Sequence, residues 1–215
     1  MKSYVVIGLG LFGSRVARQL CELGGEVLVV DIHDDLVQNI SGDVTNAVVA
    51  DARDQSVLKA LGVGSCDCAV VAIGDNFGAS VLVTMNLKEL GVPYVVCKAH
   101  DDTHRKVLEK LGADKVITPE REVAERLAHS LYSPNALEFI ELSDEYGIVE
   151  VPVPRSWAGK SILELNVRAK LGVNIIAIES AGSVNVSPAA QYVLKKDDIL
   201  VVLGDYDSLA ALQVL

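Results

Sequence analysis

The sequence predicts an α/β protein, a doubly wound parallel sheet followed by a small α+β domain. Three observations carry that expectation. Residues 4–20, YVVIGLGLFGSRVARQL, read as a buried strand, a glycine turn and a helix. A second apolar run, 26–30, ends in Asp31, eighteen positions after Gly13. Strand-like runs then alternate with helical patterns until six strands and five helices have passed, the pattern of a parallel sheet covered on both faces.

Each glycine of the turn has its own reason. Gly8 permits a tight turn, Gly10 lets a pyrophosphate approach the backbone, and Gly13 lets the helix pack against the strand. The helix that opens here directs unpaired N–H groups and the positive end of its dipole at an anion. Asp31 stands where such a fold binds the ribose hydroxyls, and its charge repels a 2′-phosphate. A nucleotide with a free ribose is therefore expected, and NADP is disfavoured.

The remaining elements follow in order. His33, Asp34 and Asp35 open a second helix, with acids suited to its first turn. Residues 47–50 form a third strand ending at Asp51, which either caps the next helix or faces an adenine. Residues 69–73 form the fourth strand and run into Gly74, Asp75 and Asn76. A long helical pattern reaches Leu90 and stops at Gly91-Val92-Pro93; residues 94–97 and 116–117 are the fifth and sixth strands. Pro119 and Glu120 open another helix, with Val123, Ala124, Leu127, Ala128 and Leu131 on one face, which covers the sheet or meets a partner. Ser133-Pro134-Asn135 ends it. From residue 136 the texture changes to strands at 137–142 and 147–153, a helical piece at 161–171, a hairpin at 173–187 turning at Ala181-Gly182-Ser183, a strand at 199–203 and a terminal helix at 205–215.

Composition narrows the function. Of 215 residues half are apolar, and 29 acidic against 19 basic residues give a net charge of −10. No basic block breaks that balance, so neither nucleic acid nor anionic lipid is an expected partner. No apolar run approaches the ~20 residues of a membrane helix, and Met1 leads straight into the first strand, so a cytosolic protein without direct membrane insertion is expected. Cys21, Cys66, Cys68 and Cys97 fit that compartment as buried, inert thiols; Cys66-Asp67-Cys68 lacks a second ligand pair for a metal.

Beyond these patterns, GLGLFG with Asp31, VLEKLGADKVITPE at 107–120, LSDEYGIVEV at 142–151 and LNVRAKLGVNIIAI at 165–178 together resemble the RCK regulatory subunits of bacterial Trk/Ktr potassium uptake systems, the single-copy Ktr type most of all. The resemblance implies a nucleotide-binding Rossmann domain at 1–134, a linker at 135–143 and a small RCK C-terminal domain at 144–215. It implies no enzyme but an octameric ring that docks on a membrane potassium-translocating subunit and gates it from the cytoplasmic side. ATP and ADP, or NAD(H), would fill the cleft and favour different ring shapes.

Residue by residue, the resemblance puts Gly8, Gly10, Leu11, Phe12 and Gly13 at the phosphates and Asp31 at the ribose. It puts Asp51 and Ala52 near the base, Ile73 and Gly74 in the cleft, and Lys98 near the phosphate end. Glu120 matches an acid that helps hold a divalent cation such as Mg2+ near the nucleotide, or is simply a first-turn helix acid. Arg168, Asn174 and Pro188 match positions that bind cyclic di-AMP in some Ktr-type proteins. One departure is Leu11, where many such subunits carry an Arg that reaches a γ-phosphate; Arg15, a turn further on, is the substitute or an ordinary surface residue.

The rival reading is an NAD(H)-dependent oxidoreductase or NAD(H) redox sensor. Tyr94 with Lys98 and Tyr192 with Lys196 share the Tyr-x-x-x-Lys spacing of a catalytic pair, which converges on a helix, but the first pair falls on a strand and the second lies beyond the sheet. His100 and His104 form a metal pair only if both are helical, and read better as helix-entry residues, as His33 does. A repressor would need a basic DNA-reading helix, which the sequence lacks.

Overall fold

The computed structural model describes residues 2–132, 138–143 and 145–213. The expected helix end at 133–135, the linker's first residues and Asp144 lie outside the described residues. The chain divides into two compact units, residues 1–119 and 120–215.

The first unit runs β1 (Ser3–Ile7), α1 (Leu11–Glu22), β2 (Glu26–Asp31), α2 (Asp34–Ile40), β3 (Asn46–Val49), α3 (Gln55–Ala60), β4 (Cys68–Val71), α4 (Phe77–Glu89), β5 (Val95–Lys98), α5 (Asp102–Lys110) and β6 (Lys115–Ile117). Its strands are parallel and ordered β3-β2-β1-β4-β5-β6, the Rossmann arrangement. Both faces of the sheet are covered, and the strand period sorts the apolar residues between them. Val5 and Ile7 of β1 enter one core with Val71, Val83, Leu87 and Leu108. Val6 enters the other with Val27, Val29, Ala17 and Ile40.

The second unit begins with α6 (Pro119–Tyr132) and continues through β7 (Glu138–Glu141), β8 (Tyr146–Pro152), α7 (Ile162–Leu165), α8 (Val167–Leu171), β9 (Asn174–Ser180), β10 (Ser183–Asn185), β11 (Ile199–Asp205) and α9 (Tyr206–Gln213). Its antiparallel sheet is ordered β10-β9-β11-β8-β7. The segment expected as linker carries β7, paired with β8. On α6 the expected apolar face is exposed at Val123, Leu127 and Leu131.

Alternation is regular in β8 and β11: Val149, Val151, Leu200 and Val202 point into a core with Trp157, Leu194 and Leu209. The β9–β10 hairpin turns on Ala181 and Gly182, both at positive φ (52° and 77°), one residue shorter than the turn expected from sequence. Ala181 carries a Cβ in a conformation that suits glycine. Ala181→Gly should therefore raise unfolding stability by about 0.5 kcal/mol, the relief of left-handed strain less the added chain entropy, read as a shift of the urea midpoint.

Candidate functional site

A cleft of about 370 Å³ opens at the carboxyl ends of β1 and β4, where the sheet connections diverge. Residues 7–10, 30–33, 50–53 and 72–76 line it, with Leu36, Ala79 and Val83.

The three glycines separate by cause. Gly8 has φ +95°, and a Cβ there would lie 3.1 Å from the Ala72 carbonyl carbon. A Cβ on Gly13 would lie 1.9 Å from the Gly8 carbonyl oxygen, so the packing of α1 on the turn forbids any side chain. A Cβ on Gly10 would meet nothing within 4 Å. The protein's own packing does not require glycine at position 10, whereas a ligand backed against the chain would. Gly10 also supplies the N-cap of α1 without a side-chain hydrogen bond, leaving the helix's first N–H groups to a ligand.

Asp31, the last residue of β2, has a side chain only 9% exposed. Its Oδ2 accepts the Leu9 N–H at 2.6 Å, and its Oδ1 accepts the His33 N–H at 2.9 Å with the His33 ring Nδ1 at 2.8 Å. Burial opposes its ionisation, but these bonds from Leu9 and His33 prevail and hold the carboxyl below its ordinary value. The expected ribose acid thus also ties the glycine turn to β2.

Asp51 and Ala52 line the cleft as expected, but Asp51 does not cap α3. That role belongs to Asp54, which accepts the Ser56 N–H at 2.8 Å. Asp51 instead pairs with Arg53, Nη2 to Oδ2 at 2.6 Å, and the Arg53 hydrogen bonds keep its carboxyl low. Ile73 and Gly74 line the cleft beyond β4. Lys98 Nζ would lie 3.5 Å from a Cβ on Gly74 and sits 5.9 Å from the centre of the Phe12 ring. That contact brings β5, the β4 loop and the first turn of α1 together. Leu11, at that turn, is 98% exposed, and Arg15 is exposed one turn on.

Sequence reasoning missed His33 and Arg53 as cleft residues. The signal was present: each follows a strand-end Asp by two positions, and each gives its backbone N–H to that Asp.

The other expected residues belong to the second unit. Glu120 opens α6, Arg168 lies on α8, Asn174 begins β9 and Pro188 follows β10. Among the described residues no group of three or more His, Cys, Asp or Glu could hold a metal. His104 is buried inside the first turn of α5, its Nδ1 facing the His100 N–H at 3.3 Å and its Nε2 facing Ser80 Oγ at 3.2 Å. It is a satisfied core residue, and His100 lies before the helix. Tyr94 directly precedes β5 and Lys98 ends it, and the Tyr192 hydroxyl donates to Asp198. Of the cysteines Cys97 alone is buried, its thiol pushed up to about 11 by burial; the other three are half-buried, a correction to the expectation of four buried thiols.

A glycine-turn cleft at the switch point of a 3-2-1-4-5-6 sheet, with an acid at the end of β2, defines the class of nucleotide-binding Rossmann proteins. The TrkA-N domain model matches residues 4–119 and the TrkA-C domain model residues 147–215. The chain is 46% identical over 203 residues to the Ktr system potassium uptake protein C of Bacillus subtilis, covering 94% of this chain and 92% of that protein. The chain belongs to the TrkA-N/TrkA-C family and, within it, to the Ktr-type potassium uptake proteins. Its fold matches the solved GsuK RCK domain at TM-score 0.67 and 23% identity, over the whole of this chain and 47% of that one. It also matches a GsuK channel bound to NAD at TM-score 0.67 and 22% identity, over the whole of this chain and 39% of that one. The chain spans less than half the length of those solved chains.

Two outcomes follow. Gly13→Ala should destabilise the protein by about 1–3 kcal/mol or more through the clash with Gly8, while Gly10→Ala changes stability by less than about 1 kcal/mol, both read from urea unfolding. Burial holds the His104 pKa down against the pull of Asp101, so the unfolded chain takes up that proton first as pH falls. Stability due to neutral His104 is therefore complete above pH ~6.5 and declines below it; His104→Gln should flatten the fall in urea midpoint between pH 7 and 5.

Proposed function

We propose that this chain is the nucleotide-sensing regulatory subunit of a bacterial potassium uptake system, a binding and signalling protein rather than an enzyme. The observation that carries the proposal is the cleft itself: an open backbone face at Gly10 beside an ionised Asp31, in a chain of the Ktr-type family. ATP, ADP or NAD(H) would lay its phosphates across Gly8, Gly10 and the first turn of α1, formed by Leu11, Phe12 and Gly13. Its ribose would meet Asp31, with Ala52, Ile73 and Gly74 along the cleft and Lys98 towards the phosphates.

Leu11 favours a diphosphate or NAD(H) over ATP, because an exposed Leu gives a γ-phosphate no charge partner. Glu120 would reach a divalent cation only if the nucleotide's phosphates brought it, since the described residues offer no metal cluster of their own. In the second unit Arg168, Asn174 and Pro188 are proposed for a cyclic dinucleotide, cyclic di-AMP.

The exposed apolar positions of α6 support self-association, and an octameric ring is the proposed assembly. No described helix is long and apolar enough to cross a membrane. The proposed place of action is the cytoplasmic face of the membrane, through the potassium-translocating partner. A nucleotide shifts the shape of such a ring only by its differential affinity for two shapes.

Calorimetric titration with ATP, ADP, NAD and NADH, with and without Mg2+, tests the cleft. Binding of ADP or NAD(H) is expected, weakened about tenfold or more in Asp31→Ala. If none of the four binds, the reading is wrong.

A further inference from the structure

Two Asp-x-base pairs stand at the strand ends of the cleft, and the second is the more tightly built. Asp51 Oδ1 accepts the Arg53 N–H at 3.0 Å and Nε at 2.9 Å, while Oδ2 accepts Nε at 3.0 Å and Nη2 at 2.6 Å. Both carboxylate oxygens are thus turned towards Arg53. The Arg53 carbonyl accepts Asn86 Nδ2 of α4 at 3.0 Å, and Asn86 and the intervening Ala52 are buried. The pair therefore has a fixed backbone and a pre-set side chain, although Arg53 is 52% exposed and lines the cleft.

A guanidinium whose Nε–Nη2 edge is engaged by a carboxylate still has its two flat faces. Those faces stack on aromatic rings, whereas the paired carboxylate is a poor acceptor for a further donor. Arg53 lines the cleft by Asp51 and Ala52, whereas Lys98 lies apart from it, by Gly74 and Phe12.

We infer that Arg53 is the base-recognising residue of this cleft, presenting a guanidinium face on which a purine ring stacks. Asp51 is a positioning residue that holds this platform, not the acceptor of an exocyclic amine. The inference rests on the nucleotide reading above and deepens it. Stacking reads the face of the ring and not its substituents, so adenine and hypoxanthine nucleotides are held alike.

The test is titration of the full chain with ADP and with inosine diphosphate, whose base has a carbonyl where adenine has an amine. Wild type should bind both equally. Arg53→Ala and Arg53→Lys should each weaken both by about tenfold, the lysine keeping the ion pair but not the plane. Arg53→Ala should also gain a preference for ADP, because the freed Asp51 carboxylate can then accept the amine. Unchanged melting temperatures of the two variants would show that the losses are local.

A preference of wild type for ADP of about tenfold would overturn the inference by showing that the amine is read. Unchanged affinity in both Arg53 variants would overturn it while leaving the nucleotide reading intact. Failure of wild type to bind ADP or inosine diphosphate while it binds NAD(H) would overturn the inference alone; failure to bind any of them would overturn the nucleotide reading, and the role of Arg53 with it.

Discussion

Much of the first unit depends on one close contact, the approach of α1 to the turn that launches it. The Gly8 carbonyl occupies the space a side chain on residue 13 would need, 1.9 Å from where its Cβ would be. Because that space is free of side chain, α1 can start four residues after β1 and lie against β1 and β2. Its amino end then faces the crevice at the carboxyl ends of β1 and β4. Move α1 outward by the thickness of a methyl group and the N–H groups of its first turn no longer edge the cleft. The anion binding proposed for the site would thus be a consequence of packing, set by an absent side chain and not by a charged one.

Asp31 couples this packing to the cleft's electrostatics. Its carboxylate joins the glycine turn, through Leu9, to the start of α2, through His33. A negative charge that is held ionised by backbone donors is available to ribose hydroxyls and hostile to a 2′-phosphate. In a chain of net charge −10 the cleft has few cations, and they are local: Arg53 is held by Asp51, and Lys98 is drawn under α1 against Gly74. Affinity for the proposed polyanionic ligand would therefore rest on oriented backbone N–H groups more than on net charge.

The two units solve the burial problem differently. The parallel sheet is covered on both faces, so its central strands are nearly continuous apolar runs and its cores divide by alternation within a strand. The antiparallel sheet buries Val149, Val151, Leu200 and Val202 on one face. On α6 the apolar residues Val123, Leu127 and Leu131 are exposed in the single chain. An apolar stripe on a surface of this kind is a reason for a second copy or a partner to meet it.

The sequence by itself determined the strand–helix alternation, the glycine turn, Asp31 and the family. These are local or periodic signals: burial on both faces writes apolar runs, and turn geometry writes glycines at fixed spacing. Distance in space decided the rest. Asp51 faces the cleft and not α3 because Asp54, three residues on, is the one that reaches the Ser56 N–H. His104 is a core residue because α4 brings Ser80 to its ring. His33 and Arg53 enter the cleft because β2 and β3 lie side by side with their carboxyl ends level, a register that strand pairing alone sets. No spacing in the chain encodes which strands become neighbours; the packed sheet does.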